Sequence, residues 1–422
     1  MLTCSSATLS TARRILRSVI LDEDIASWSQ FVDEPYGLHG PGAVYDCSKG
    51  KDKWSFGNLP GLPSRLLEGQ HSSLPQGELD VERLSRLCVV PKDFRGHRLI
   101  CIEPKELMFL QQGLMRTIYQ MVKTNLVTGT CIDFRDQRKS FDLSKSLKYS
   151  TIDLSDASDN LRLELCRYLF PKEVYRVLVN ARSREVELPD GERVVPTTMF
   201  TMGNALCFPI ETLVFFTLSL ATMLEESGQV WRVGKPRWLS EYVRKNRIQV
   251  FGDDIIVPRR FFHPVCDTLA GCGLVVNSNK SCHSTPVREA CGSWFFHGID
   301  CTIVRLKVDA VETYSDWISS VETVKLLFQS GFTRTARAIL SLLQCYHDVP
   351  IDGISDKHSS IKNRRYNVQL QRLEWRLPSL SLGKPDVLTG DVGLYSYFTG
   401  KGSHAAPRGD ASCIEWGWRD RI

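Results

Sequence analysis

Val250 to Pro258 reads VFGDDIIVP, two adjacent acidic residues set between two short apolar, β-branched runs. Ile248–Phe251 and Ile255–Val257 have strand composition, and Gly252 supplies the backbone freedom of a tight turn. The pattern predicts a hairpin with Asp253 and Asp254 at its tip. Along a strand, neighbouring side chains point to opposite faces; at a turn that alternation breaks, and both carboxylates can approach one point. Carboxylates placed so closely repel unless a divalent cation lies between or beside them. A Gly-Asp-Asp triplet arises by chance in roughly one chain in ten of this length, so the triplet alone decides little.

Asp153 supplies the second half of the pattern. It ends a predicted strand in STIDLSDASDNL, with Asp156 and Asp159 on the turn into the next helix. An Asp at a strand end beside a two-Asp hairpin of the same sheet forms a third wall of a metal site. Such oxygen donors suit Mg²⁺, which keeps waters and binds substrate phosphates. Two such ions can activate a 3′-hydroxyl and stabilise departing pyrophosphate. For Asp156 the competing reading is helix capping, since Asp is favoured at helix starts.

Other patterns exclude alternatives. No GxxxxGK[ST] phosphate loop occurs, and GLHGPG at 37–42 lacks a preceding strand and carries a proline, which argues against a dinucleotide site. The 14 cysteines are scattered with no CxxC pair, which points to free thiols in a reducing cytosol rather than a disulfide scaffold. Cys266, Cys272, Cys282, His283 and Cys291 match no common zinc spacing. The start of the chain shows no secretory signal, and the apolar run Leu213–Leu224 is too short to span a bilayer and reads as a buried helix. A net charge of +5 permits a nucleic-acid partner without demanding one.

Along the chain, residues 35–80 read as loops. Strands are expected at Leu87–Pro91 and Arg98–Ile102, joined by the basic KDFRGHR, then a helix at Leu107–Val122. A strand at Lys148–Leu154, a helix at Leu161–Phe170, a hairpin over 184–195, a long helix at Ala205–Glu226, the Asp-Asp hairpin, a helix at His263–Ala270 and a strand at Leu274–Val276 follow. This order is close to a split βαβ sheet with helices on one face, an α+β fold. From 310 onward the chain reads as mostly helical, and 377–422 as irregular. IKNRRYNVQLQRLEWR (361–376) combines cations with Tyr366 and Trp375; an ordinary helix is favoured there over an RNA-tracking surface.

Taken together, these segments resemble the replicase subunit of single-stranded RNA bacteriophages, the levivirus group. VPKDFRGHRLICIEP (Val90–Pro104) resembles the fingers motif of right-handed viral polymerases, and TIDLSDASDNL (Thr151–Leu161) the first palm motif. MGNALCFPIETLVFF (Met202–Phe216), VFGDD, GLVVNSNKS (Gly273–Ser281) and REACGSWFFHGIDCT (Arg288–Thr302) resemble the second to fifth. The resemblance covers about 89–305, with a weaker echo at HGPGA and KW near 39–54.

The resemblance implies a right-hand polymerase, with an N-terminal, fingers-associated region at 1–88 and fingers at 89–147. It implies a palm at 148–305 with a fingers hairpin near 182–198, and a helical thumb and C-terminal region at 306–422. It implies an RNA-directed RNA polymerase that copies a viral genome. Asp153, Asp253 and Asp254 would bind two Mg²⁺ ions, with Mn²⁺ as a substitute, and Asp159 would sense the ribose 2′-hydroxyl. Gly203 and Asn204 would position template and nucleotide, Lys92, Arg95 and Arg98 would contact the triphosphate, and Lys280 would protonate pyrophosphate. For KDFRGHR the competing reading is a solvated loop, and for Lys280 an ordinary surface lysine. The implied partners are single-stranded RNA, ribonucleoside triphosphates, host translation factors and a ribosomal RNA-binding protein, in the cytoplasm of a bacterial host.

The second motif follows the phage form, with Met202 before Gly203 and Glu211 downstream. It lacks the Ser/Thr-Gly start and downstream Asn common in other viral polymerases. The rival readings are a reverse transcriptase, against which Asp159 argues, and a non-catalytic RNA-binding shell.

Overall fold

A computed structural model of the chain describes residues 3–33, 39, 42–45, 83–93, 96–306 and 308–344, and the strand segments 364–367, 372–375, 377–382 and 414–419. It is a mixed helix and sheet protein whose residues group into two compact units: Met1–Val90 with Leu99–Ile303, and Pro91–Arg98 with Val304–Ile422.

The first unit begins with helices α1 (Ser6–Val19) and α2 (Asp22–Asp33). Strands β1 (Leu84–Asp93) and β2 (Gly96–Ile102), apart from Pro91–Arg98, which group with the second unit, lead into α3 (Lys105–Thr124) and the short α4 (Arg138–Ser144). Then come β3 (Tyr149–Ile152), β4 (Leu154–Ser155), α5 (Ala157–Asn160), α6 (Leu163–Leu169) and α7 (Lys172–Asn180). A hairpin of β5 (Glu185–Glu187) and β6 (Arg193–Val194) precedes α8 (Cys207–Glu226) and α9 (Pro236–Asn246). Strands β7 (Gln249–Phe251) and β8 (Asp254–Pro258), α10 (Phe262–Gly271), β9 (Val275–Val276), β10 (Val287–Ala290), β11 (Ser293–Phe296) and β12 (Ile299–Asp300) complete it.

Helix α8 is the axis of this unit. From Cys207 to Leu224 every residue except Phe208 is buried, so the helix is apolar on all faces, as one wrapped by other elements must be. By length and composition it could cross a membrane, but 94% of its apolar window is buried inside the protein. Helices α1 and α10 pack on it; α1 presents Leu9, Ala12, Ile15, Leu16 and Val19, spaced three and four apart, to the same core. Thr8 Oγ1 donates to Glu225 Oε2 at 2.5 Å and fixes the register of α1 on α8.

The sheet that matters for function has the order β3-β8-β7, antiparallel throughout. Ile255, Ile256 and Val257 are almost fully buried, the β-branched stretch that the sequence placed in a strand. Register pairs Ile152 with Ile255 and Thr151 with Ile256. Beside it, β4 pairs with β9, and a bridge between Thr151 and Cys282 ties the next segment to the other edge of β3.

A second sheet, β2-β1-β5-β6, pairs β1 parallel to β5. Its β2 is fixed to the loop before α8 by a hydrogen bond from Cys101 N to Met202 O at 2.7 Å. Gly203 adopts φ +114°, and a Cβ there would collide with the Cys101 carbonyl oxygen. Gly203→Ala should therefore cost about 3 kcal/mol or more, from backbone strain and overpacking together. A lowered urea midpoint with unchanged slope would register that loss, and an unchanged midpoint would show that the loop rearranges freely.

In the second unit, α11 (Tyr314–Gln329) and α12 (Thr333–Gln344) form a hairpin around Trp317, Val324, Ala336, Leu340 and Leu343. Thr313 and Asp316 make a reciprocal capping box at its start. These helices agree with the helical reading of the region after 310, but the following segment corrects it. Residues 364–367 and 372–375, where a helix was favoured, are antiparallel strands β13 and β14. Leu377–Leu382 and Ile414–Arg419, expected to be irregular, pair as β15 and β16. The I-x-W-x-W spacing at 414–418 has the two-residue period of a strand, which the irregular reading of 377–422 passed over. Helices α1, α2, α4, α7 and α9 and strands β10–β12 were also not foreseen. Most of the 35–80 segment lies outside the described residues.

Candidate active site

Continuing the β3–β8 register by one residue sets Asp153 opposite Asp254. Cross-strand neighbours have Cβ atoms about 5 Å apart, so sheet pairing alone delivers two carboxylates from segments a hundred residues apart to one place. A third comes from Glu289 on β10: ligand oxygens of Asp153, Asp254 and Glu289 all lie within 4.8 Å of one another. Sequence reasoning missed Glu289, although it lies in the quoted segment REACGSWFFHGIDCT.

Each acid is held by its own surroundings. Asp153 is buried, its Oδ2 accepts from Asn277 Nδ2 at 2.9 Å, and its Oδ1 lies 3.5 Å from Lys280 Nζ. Asp153 N donates to Ser281 Oγ at 3.1 Å. Glu289 Oε1 accepts from Gly292 N at 3.2 Å. The neighbouring Arg288, 1% exposed, donates to five backbone carbonyls, those of Tyr149, Thr285, Val287, His283 and Leu147. That guanidinium pins β10 beside β3 and so brings Glu289 to the other two acids.

Asp254 keeps some solvent exposure, yet protein crowded around its carboxyl, and next the Asp253 charge, push its pKa up to about 8. Glu289 and Asp153 act in the same direction, against a hydrogen bond from the Cys291 backbone. Three carboxylates converging from three segments are poor company for each other without a cation. Their hard oxygen donors fit a divalent ion such as Mg²⁺. Among the described residues no other His, Cys, Asp or Glu group of this kind occurs. The cysteines named beside His283 are free thiols.

Asp253 lies outside the 4.8 Å grouping. It sits at the turn, where its charge acts on Asp254 and on the buried Glu211 of α8. Burial, followed by the Asp253 charge, raises the Glu211 pKa to about 8. The turn is seated on α8: Gly252 N donates to Thr212 Oγ1 at 3.0 Å. Gly252 has φ +61°, and a Cβ there would lie 2.7 Å from the Phe208 ring. Phe208 stacks edge-on against Phe251, with ring centroids 4.9 Å apart. Gly252→Ala should displace the turn and weaken Mg²⁺ binding at the acid cluster while leaving most of the fold in place, which calorimetric titration with a circular-dichroism melt can check.

Asp159 is exposed, and partial burial, then the Asp156 charge, raises its pKa. Its charge also reaches Glu211. Asp156 occupies the N-cap of α5 with φ +48°, but its side chain makes no capping hydrogen bond. Its carbonyl accepts instead from Asp159 N and Asn160 N. Asn204 is 5% exposed and fully engaged: Nδ2 donates to Glu103 Oε1 at 3.1 Å, and Oδ1 accepts from Leu206 N at 2.9 Å. Glu103 also accepts from Ser183 Oγ at 2.5 Å, and its own burial raises its pKa. Lys92 and Arg98 are exposed on β1 and β2, and Arg95 lies outside the described residues.

Residues 70–325 match the family described as RNA replicase, beta-chain. The chain is 32% identical over 228 residues to the RNA-directed RNA polymerase subunit beta of Enterobacteria phage SP, covering 53% of this chain and 36% of that protein. It is 30% identical over 231 residues to the corresponding subunit of Escherichia virus Qbeta, covering 53% and 35%. With the RNA-directed RNA polymerase beta chain of Escherichia phage MS2 it shares 32% identity over 215 residues, covering 50% and 35%. The chain thus spans about a third of the length of these relatives. Among solved structures, the elongating RNA-dependent RNA polymerase of BmCPV aligns at TM-score 0.47 and 11% identity, covering 81% of this chain and 33% of that one. The RNA-dependent RNA polymerase of a human picorbirnavirus aligns at 0.39 and 12%, covering 63% and 56%. The family match takes in more than half of the chain, including Asp153, Asp254 and Glu289, and the chain belongs to the RNA replicase beta-chain family.

Proposed function

We propose that this chain performs RNA-templated RNA synthesis for the replication of a bacteriophage genome, as an RNA-directed RNA polymerase. The observation that carries this reading is the convergence of Asp153, Asp254 and Glu289, from three separate segments, within 4.8 Å. Phosphoryl transfer asks a protein for positioning and charge neutralisation more than for covalent chemistry, and this cluster, with Asp253 on the adjoining turn, offers a place for the cations that would supply both. Divalent cations bound there, Mg²⁺ by preference and Mn²⁺ as a substitute, would activate a 3′-hydroxyl and neutralise the charge on the phosphates.

The remaining roles follow the family pattern. Asp159 reads the ribose 2′-hydroxyl. Lys280, whose Nζ lies 3.5 Å from Asp153 Oδ1, holds the proton that departing pyrophosphate takes up. Lys92, Arg95 and Arg98 contact the triphosphate. Gly203 and Asn204 act through the backbone: with its amide committed to Glu103, Asn204 shapes the loop along which template and nucleotide lie. In this reading residues 1–88 are associated with fingers formed by 89–147, residues 148–305 form the palm, with a fingers hairpin near 182–198, and 306–422 form the thumb region. The working partners are single-stranded RNA, ribonucleoside triphosphates and host proteins, namely translation factors and a ribosomal RNA-binding protein, in the bacterial cytoplasm.

The test is incorporation of labelled nucleotides on a short RNA template, with and without host lysate. Product should form with Mg²⁺ and vanish with a chelator. Ribonucleotides should be preferred over deoxynucleotides by roughly a hundredfold or more, because a site built to bond a hydroxyl rejects a substrate lacking it. Equal use of deoxynucleotides would point to a reverse transcriptase. RNA binding without incorporation in every condition would point to a non-catalytic shell.

A further inference from the structure

The β7–β8 hairpin has two ends. The acids lie at the Gly252 end; at the other, five strand residues or roughly 15 Å away, a cavity of about 700 Å³ opens between the end of α8, α9 and Arg260–Phe261. The segment WRVGKPRWLSEYVRKNR at 231–247 has six cations against one acid, Glu241, and three aromatic residues, and it lines the cavity through Arg232, Trp238, Glu241, Tyr242, Lys245 and Asn246.

The aromatics and cations are interleaved in space as well as in sequence. Trp231 is 61% exposed. The Arg232 guanidinium lies 4.4 Å from the Trp231 ring centre and 5.1 Å from that of Trp238, and its buried Nε has no acceptor. Trp238 and Tyr242 lie 5.3 Å apart with planes inclined by 31°. The Tyr242 hydroxyl, bonded to Met223 O at 2.9 Å, fixes that ring. Arg260 donates to the neutral Asn246 Oδ1 at 3.0 Å and keeps its charge for another partner. Lys245 is exposed at the rim. Glu226 and Glu241 also line the cavity, so the three cations Arg232, Lys245 and Arg260 outnumber its acids by one.

We propose that this cavity and the exposed Trp231 ring beside it bind a stretch of single-stranded RNA at a site separate from the acid cluster. A base stacks on Trp231, which borders the cavity next to the lining residue Arg232, and backbone phosphates lie against Lys245 and Arg260. Aromatic platforms bordered by cations are how sequence-tolerant single-strand binding is built, since every base has a stacking face and every linkage a charge. A free nucleotide presents the same base and phosphate chemistry, so the experiment must separate the two. The proposal holds whether or not the chain polymerises.

The test uses the full chain and a short fluorescent single-stranded RNA carrying 4-thiouridine. Ultraviolet cross-links should map to 231–247, and titration should resolve two RNA molecules per chain. In the double variant Trp231→Ala, Lys245→Glu, two exposed positions, the second should weaken about tenfold or more. Its salt dependence should also become shallower. The variant's melting temperature checks that the fold is kept, and Lys245→Arg should restore the charge-dependent part. The proposal is overturned if the double variant binds two RNA molecules as tightly as the parent, or if no cross-link falls in 231–247. Displacement of the RNA from that segment by millimolar free ATP would overturn it in favour of a nucleotide pocket. Failure of the incorporation assay leaves the cross-links to 231–247 and their loss in the double variant unchanged, so the two ideas fail separately.

Discussion

Asp254→Asn should abolish nucleotide incorporation and, without metal, make the protein harder to unfold. Loss of one carboxylate from the cluster removes a charge that cation binding needs, and a fall of about a thousandfold or more in turnover is expected. The stability effect has a definite sign. Crowding, and then the Asp253 charge, raise the Asp254 pKa from 3.8 to about 8 in the folded chain. Between those values the folded state retains a proton that the unfolded state has released. The parent's stability from this group is therefore complete below pH 4 and is lost as pH rises through about 8. Asparagine has no such loss. The melting-temperature advantage of the variant should widen from pH 5 to pH 9 in chelator, then shrink or invert in saturating Mg²⁺, because only the parent gains from binding the ion. Metal affinity of the parent should rise over pH 6 to 8 for the same reason. A variant that incorporates nucleotides at the parental rate would remove Asp254 from the chemistry.

Arg288→Met should cost about 3–5 kcal/mol, the scale for breaking a buried, hydrogen-bonded charge. Met restores much of the volume and none of the donors. Three of the carbonyls Arg288 serves, those of Tyr149, Thr285 and Val287, lie 2.6 Å from its nitrogens, and buried acceptors left unmatched carry the full desolvation penalty. Arg288→Lys should recover little, because one ammonium cannot reproduce a planar fork that serves five acceptors. Urea unfolding measures the loss, and calorimetric Mg²⁺ titration below the unfolding transition should show weakened binding, since Glu289 is no longer held to β3. An unchanged urea midpoint for the Met variant would mean that the guanidinium is dispensable and β10 is anchored by other contacts.

The Asp-Asp hairpin was legible because its information is local. β-branched runs, a glycine and two acids within nine residues dictate strand, turn and strand, and the strand ending at Asp153 could be placed by the same rule. Glu289 was not legible, because nothing in its own neighbourhood says which strand β10 will lie beside. That is decided by the Arg288 guanidinium finding carbonyls more than a hundred residues away in the chain, at Leu147 and Tyr149. Asn204 shows the converse. Its segment pointed toward ligand, but a buried amide must be matched inside the protein, and Glu103 and the Leu206 amide match it. At the C-terminal side, a helix at 361–376 and irregular chain at 377–422 are expected where strands form, because the two-residue alternation at 414–418 is short and its partner strand ends at Leu382, 32 residues upstream of Ile414.

The fully wrapped α8 has a consequence for synthesis on the ribosome. Its partner α1 is made first and is waiting; α10 ends 45 residues after α8 does. At roughly 5–20 residues per second, one flank of an oily 20-residue rod stays uncovered for about 2–9 s in every nascent chain. That interval invites capture by chaperones or by neighbouring nascent chains, and slowing translation between 227 and 271 should increase the insoluble fraction.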